Sequence, residues 1–180
     1  RVGTVSIRRA WCIEGGYSLD TKGLVYVDRL NVNKLFVRQQ AKIVTMLVIQ
    51  NGYGDVLMYQ KLRQPFIDLW TLPQGKVHND DISIMAAAHR EVEEKIGGLD
   101  IELRHVGDGY IRFMDDAEVT NSMLVHVFYG QVENSEIAPH LQWVKLRELD
   151  SYDTAPAAKE IIARTLFRDP FFFEEFTEEW

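Results

Sequence analysis

The stretch that decides the fold is Leu72-Pro73-Gln74-Gly75-Lys76, then the acidic loop Asn79-Asp80-Asp81, then Arg90-Glu91-Val92-Glu93-Glu94-Lys95-Ile96-Gly97. A short apolar piece, Leu69 to Leu72, ends at Pro73 and gives way to a polar loop from Gln74 to Asp81. A helix is expected next, capped by Asp81 or Ser83 and stopped at Gly97-Gly98. Ile84, Ala88, Val92 and Ile96 recur at four-residue spacing, joined by Met85, and form one inward stripe. Glu91 and Glu94 are three apart and project from one helix face at the edge of that stripe. Facing a loop that contains Gly75, they are hard oxygen donors suited to Mg²⁺ or Mn²⁺. Arg90 and Glu94 are four apart and can pair. The plain alternative is a solvated, charged helix face.

Upstream, Ile43 to Gln50 is β-branched and mostly apolar, and Asn51-Gly52 then turns the chain into Val56 to Lys61, a hairpin signal. The first forty residues read as short strands, with Leu24 to Asp28 behind the turn signals Glu14-Gly15-Gly16 and Thr21-Lys22-Gly23. Downstream, Ile101 to Phe113 and Ser122 to Val132 read as long strands and Gln142 to Leu146 as a brief one. Ala155 to Phe167 reads as a second amphipathic helix with Ile161, Ile162 and Leu166 inward. In the acidic aromatic tail, 169–180, Phe172, Phe176 and Trp180 recur every four residues, as in a short helix starting near Asp169 and packing on its own domain or on a second subunit. Strands on both sides of a central helix predict an α/β fold, a mixed sheet held between helices.

The chain has 180 residues, enough for one domain over 1–180. Its 20 Lys and Arg against 27 Asp and Glu leave a net charge of −7, which argues against a duplex nucleic acid partner. Its longest apolar runs are far short of the ~20 residues of a membrane helix, and the acidic tail disfavours an anionic membrane surface. Cys12 is the single cysteine and reads as an inert thiol, so no internal disulfide forms and a cytoplasmic location is expected. The chain begins at Arg1, consistent with the loss of a leader or tag.

The strand ending in Trp70-Thr71-Leu72-Pro73, Gly75-Lys76, the acidic loop, Ala86-Ala87-Ala88 and Arg90-Glu91-Val92-Glu93-Glu94 with Gly97 together resemble the Nudix box of the MutT-like Nudix hydrolases. The box covers residues 75–98, and the order of hairpin, box, long strands, Trp143-Val144 and terminal helix is similar to that family's layout. The chain departs from the pattern in three places. One residue is inserted between Gly75 and Arg90; the loop Glu of the pattern falls on Asp81; and Lys95 and Gly98 replace the second Glu of the pair and the closing apolar residue. A protonated lysine cannot ligate a metal. Lys95 is therefore expected to pair with Glu91 or to contact substrate phosphate.

The resemblance implies an α/β/α sandwich and hydrolysis of a diphosphate linkage in a nucleoside triphosphate, oxidised nucleotide or nucleotide sugar, with Mg²⁺ or Mn²⁺ as cofactor. It implies Glu91, Glu94 and the Gly75 carbonyl as metal ligands. Glu91, Glu94, Arg90 and a later loop carboxylate, Glu118 ahead of Asp115 and Asp116, would serve catalysis. Lys76, Arg63, Lys95 and Lys61 are the phosphate candidates, and Phe66, Trp70, Tyr110 and Phe113 can stack on a base. Of the five histidines only His78, in the box loop, stands near this chemistry. The rival implication is an eroded Nudix-fold module that binds a nucleotide or serves an assembly.

Overall fold

Two short strands, β1 (Leu30–Asn31) and β2 (Phe36–Val37), pair antiparallel within the first of two compact units, 1–40. The second unit, 41–180, is built on a mixed sheet. The structure, a computed structural model, describes residues 30–31, 36–37, 39–63, 66–97, 100–133, 137–167 and 171–179. The expected strand Leu24–Asp28 with its upstream turns, Cys12, Gly98 and Trp180 lie outside those residues.

The β-branched segment forms the central strand β3 (Lys42–Gln50), and β4 (Val56–Gln60) follows. The connecting turn is held by Asn51, whose Oδ1 accepts from the N–H groups of Tyr53 and Asp55 at 3.0 and 2.9 Å. β3 and β4 pair only at Gln50 and Val56. Beyond that point other partners intervene. β3 takes β6 (Gln74–Lys76) antiparallel along one edge and β8 (Glu118–Gln131) parallel along the other. β4 takes β5 (Trp70–Thr71) and β9 (Leu141–Val144), both antiparallel. The expected polar loop after Pro73 therefore begins as a strand, because Gln74, Gly75 and Lys76 satisfy their backbone groups on β3.

Side chains alternate across β3 into two cores. Val44, Met46 and Val48 meet Ile161 and Ile162 of helix α2 (Ala158–Phe167). Leu47 and Ile49 meet Ala88, Val92 and Ile96 of helix α1 (Ile84–Ile96). The sheet thus lies between helices, the expected α/β/α sandwich. Ser83 caps α1 by accepting from the Ala86 N–H at 3.0 Å, worth about 1 kcal/mol, and Gly97 ends it at φ 91°. The start of the stripe departs from expectation: Ile84 and Met85 are exposed, and the buried stripe begins at Ala87 and Ala88.

β7 (Arg104–Asp115) and β8 form a long antiparallel pair. Its turn, Asp116-Ala117, has positive φ at both residues, which matches the twist of a two-residue hairpin. The expected loop between these strands is accordingly a tight turn, with Glu118 in strand opposite Asp115.

The tail is not a helix. Phe172–Glu179 forms β10, parallel to β7 at the sheet edge. A spacing of four is two strand repeats as well as about one helical turn, so Phe172 and Phe176 share a face in either form. The sheet decides between them. Gly107 and Gly109 leave gaps on β7 that the rings of Phe172 and Phe176 fill, and a Cβ on Gly107 would lie 2.4 Å from the Phe172 ring. Gly107→Ala is expected to cost about 1–3 kcal/mol in denaturant unfolding. Adding Phe172→Ala should cost less than the sum of the two single changes, because the second removes the clash made by the first.

Candidate active site

Where β3 and β4 part, a cavity of about 460 Å³ opens between their far ends. Lys42 and Val44 of β3, Tyr59 and Gln60 of β4, all three residues of β6, and Glu94 and Lys95 near the end of α1 line it. Among the described residues its cationic side chains are Lys42, Lys61, Arg63, Lys76 and Lys95, against the single carboxylate of Glu94.

Glu91 sits behind this wall and is 3% exposed. Its carboxylate rests on Gly75: a Cβ there would lie 1.9 Å from the carboxylate carbon, so only glycine permits the approach. Gly75 is fixed in turn by pairing with Thr45, a fully buried residue whose hydroxyl donates to the Gly75 carbonyl at 3.4 Å. One Glu91 oxygen, Oε1, accepts from Arg90 Nη1 at 2.6 Å. The other, Oε2, is buried with no hydrogen-bond partner, and Lys95 Nζ stands 3.6 Å from it. A buried carboxylate oxygen left without a donor is costly unless a cation serves it.

Arg90 holds the assembly together. Its Nε and Nη2 donate to the two Asp81 oxygens at 3.0 and 2.9 Å, Nη2 also donates to the Lys76 carbonyl at 2.9 Å, and Nη1 lies 3.5 Å from Glu94. The expected Arg90–Glu94 pair is thus present but longer than the bidentate grip on Asp81. Asp81 does not cap the helix. It ties the box loop to Arg90 and accepts from the His78 N–H at 2.7 Å. Arg90 is not among the residues that line the cavity.

The other candidates divide. Lys76, Arg63, Lys95, Lys61, Phe66 and Phe113 all line the cavity, the last two with ring centroids 5.3 Å apart. Trp70 does not; it packs edge-on against Tyr152 at 5.5 Å. Glu118, Asp115, Asp116, Tyr110 and His78 do not line it either. Sequence reasoning missed Lys42, Tyr59, Asn121 and His140, which come from separate elements and share no local spacing. Lys95 Nζ lies over the Tyr59 ring at 5.9 Å, and His140 Nε2 is 3.2 Å from the Lys95 carbonyl oxygen. Burial pushes the Tyr59 phenol up, and burial together with the charge of Lys95 pushes the Lys61 ammonium down.

The family model of the NUDIX domain matches residues 40–165. The chain belongs to the NUDIX family. Solved structures share the fold. The MutT protein of Bacillus halodurans is 23% identical with a TM-score of 0.62, over 77% of this chain and 90% of that one. The NUDIX domain of Shewanella oneidensis NrtR, in complex with ADP ribose, is 14% identical with a TM-score of 0.61, over 78% and 94%. NrtR of that organism in complex with a 27mer DNA is 15% identical with a TM-score of 0.59, over 68% and 59%. A search of curated protein sequences finds no match. No helix among the described residues is long and apolar enough to cross a membrane.

Asp81 gives the site an acid limit. The Arg90 guanidinium, with the His78 N–H, holds its carboxyl down to about 2 from an ordinary 3.8. A depressed carboxylate stabilises the fold above its unfolded pKa and loses that contribution as pH falls through its folded one. The thermal midpoint of the wild type should therefore fall more steeply between pH 4 and 2 than that of Asp81→Asn, as followed by circular dichroism.

Proposed function

We propose that the chain is a divalent-metal-dependent hydrolase that cleaves the diphosphate linkage of a nucleoside-diphosphate-linked substrate: a nucleoside triphosphate, an oxidised nucleotide or a nucleotide sugar. The observation that carries this reading is the buried Glu91 carboxylate, its Oε2 without a hydrogen bond, seated on Gly75 beside a cavity lined by cations. The unsatisfied oxygen and the close backbone approach fit a Mg²⁺ or Mn²⁺ ion, with Glu91, Glu94 and the Gly75 carbonyl as its protein ligands. Such an ion supplies charge neutralisation at phosphate oxygens and acidifies a water.

The chain's own residues do the rest. Lys42, Lys61, Arg63, Lys76 and Lys95 draw the phosphates into the cavity and offset their charge. Phe66 offers apolar surface for a base, and the buried Phe113 ring backs it. Arg90 keeps Glu91 and Glu94 turned toward β6. Glu118 is away from the cavity, so Glu94, the carboxylate that lines it, takes the proton from the attacking water. The ADP ribose bound by the NrtR domain, a nucleoside diphosphate sugar, supports this substrate class. The net charge of −7 favours a small anionic ligand held by a local cationic site over duplex DNA.

Lys95 favours a second reading. Its ammonium, 3.6 Å from Glu91 Oε2, already serves the orphaned oxygen, as expected of a module that binds a nucleotide without hydrolysing it. Phosphate release from a panel of nucleoside diphosphate compounds with Mg²⁺ or Mn²⁺ separates the two. For an enzyme, Glu91→Gln and Glu94→Gln should each lower turnover at least about 100-fold while circular dichroism stays native. Lys95→Ala should lower kcat/KM about tenfold, mainly through KM, the size of one charged hydrogen bond. A binding module releases nothing, yet its thermal midpoint rises with nucleotide.

A further inference from the structure

Away from the cavity, the register of β7 against β8 breaks once near the start of β7. His105 lies opposite Phe128 and Gly107 opposite Val127, which leaves Val106 as an extra residue. In an unbroken strand residues three apart face opposite sides of the sheet. The bulge turns Val106 and Gly107 together into the core shared with Phe172, and brings His105 and Asp108 out on the same opposite face. His126 is the register partner of Asp108.

The three side chains converge. His105 Nε2 is 2.8 Å and His126 Nδ1 2.6 Å from the same oxygen, Asp108 Oδ1. The donor atoms all lie within 4.8 Å of one another. The His105 ring is held by stacking on Phe128 at 5.1 Å and by the edge of Phe171 at 5.2 Å. All three groups stay partly open to solvent, at 36% for His105, 22% for Asp108 and 13% for His126.

We infer that His105, Asp108 and His126 form a second metal site, one for a first-row transition-metal dication of the zinc type. Two imidazole nitrogens and one carboxylate oxygen are a borderline donor set that suits zinc, whereas Mg²⁺ prefers oxygen ligands and keeps its water. Ligand atoms around tetrahedral zinc stand about 3.4 Å apart. The two short contacts to Asp108 thus need to open by less than an ångström. Each ring then keeps its proton on the nitrogen turned away from the ion. Three protein ligands leave a fourth position to water. None of these residues lines the cavity, and the site does not depend on the activity proposed above.

The test uses the full chain and Zn²⁺ alone, read by imidazole nitrogen NMR and by competition with a chromophoric zinc chelator. One equivalent should shift the ring nitrogens of His105 and His126 and leave those of His78 and His89 in place. That equivalent should persist in Glu91→Gln/Glu94→Gln and in excess Mg²⁺. It should weaken at least about tenfold in Asp108→Asn, which keeps the shape and removes the charge, and in His126→Ala. Unmoved imidazole signals in the wild type, or equal zinc affinity in Asp108→Asn, would overturn the site and leave a hydrogen-bonded bridge. The wild-type NMR result stands whether or not a variant folds.

Discussion

The contact on which the rest of this molecule depends is a carboxylate laid against a glycine. Glu91 is buried, and a charge taken out of water is tolerated only when neighbouring groups replace the solvent. Arg90 does so for one oxygen, and Lys95 stands nearest the other. The approach is possible only because position 75 has no side chain, and position 75 is where it is because β6 pairs with β3 opposite Thr45. Helix α1 can bring Glu91 that close because Ala87 and Ala88 on its buried side are small. Sheet register, helix docking and site geometry are therefore one constraint seen at three scales.

The division of the sheet gives that constraint its chemical use. β3 and β4 share a single paired position and then recruit different neighbours, so the cavity is a consequence of strand topology. It also concentrates positive charge in a chain whose total is −7. Net charge governs what the whole molecule repels, whereas a concave, cation-lined site governs what it holds. The two have opposite signs here, which favours small polyanions that can enter the cavity.

Local rules made much of this legible. Ser83 and Gly97 mark the ends of α1 through chemistry confined to a few atoms, and the stripe of Ala88, Val92 and Ile96 follows from one period. The box residues were readable because Arg90, Glu91 and Glu94 stand at fixed separations on one helix and a glycine, Gly75, precedes them across an acidic loop only one residue longer than the pattern. What stayed hidden depends on partners distant in the chain. Phe172 and Phe176 fit both a helix and a strand until Gly107 and Gly109 are known to lie beside them. The grip of Arg90 on Asp81 went unread because it spans a loop with an inserted residue, whereas its pairing with Glu94 follows from helical spacing. Lys42, Tyr59 and His140 join the cavity from separate parts of the chain, and the bulge at Val106 has only the neighbouring Gly107 as a local sign.

The placement of β10 also bears on how the chain reaches this state. Its partner β7 lies 65 residues earlier, and the pairing is parallel, so no tight turn can bring the two together early. Until β10 docks, β7 presents a row of unpaired amides and carbonyls with two glycine notches, a template another chain can occupy. A ribosome-bound or prematurely cut chain would carry this open edge, and its hazard is self-association rather than a loss of chemistry.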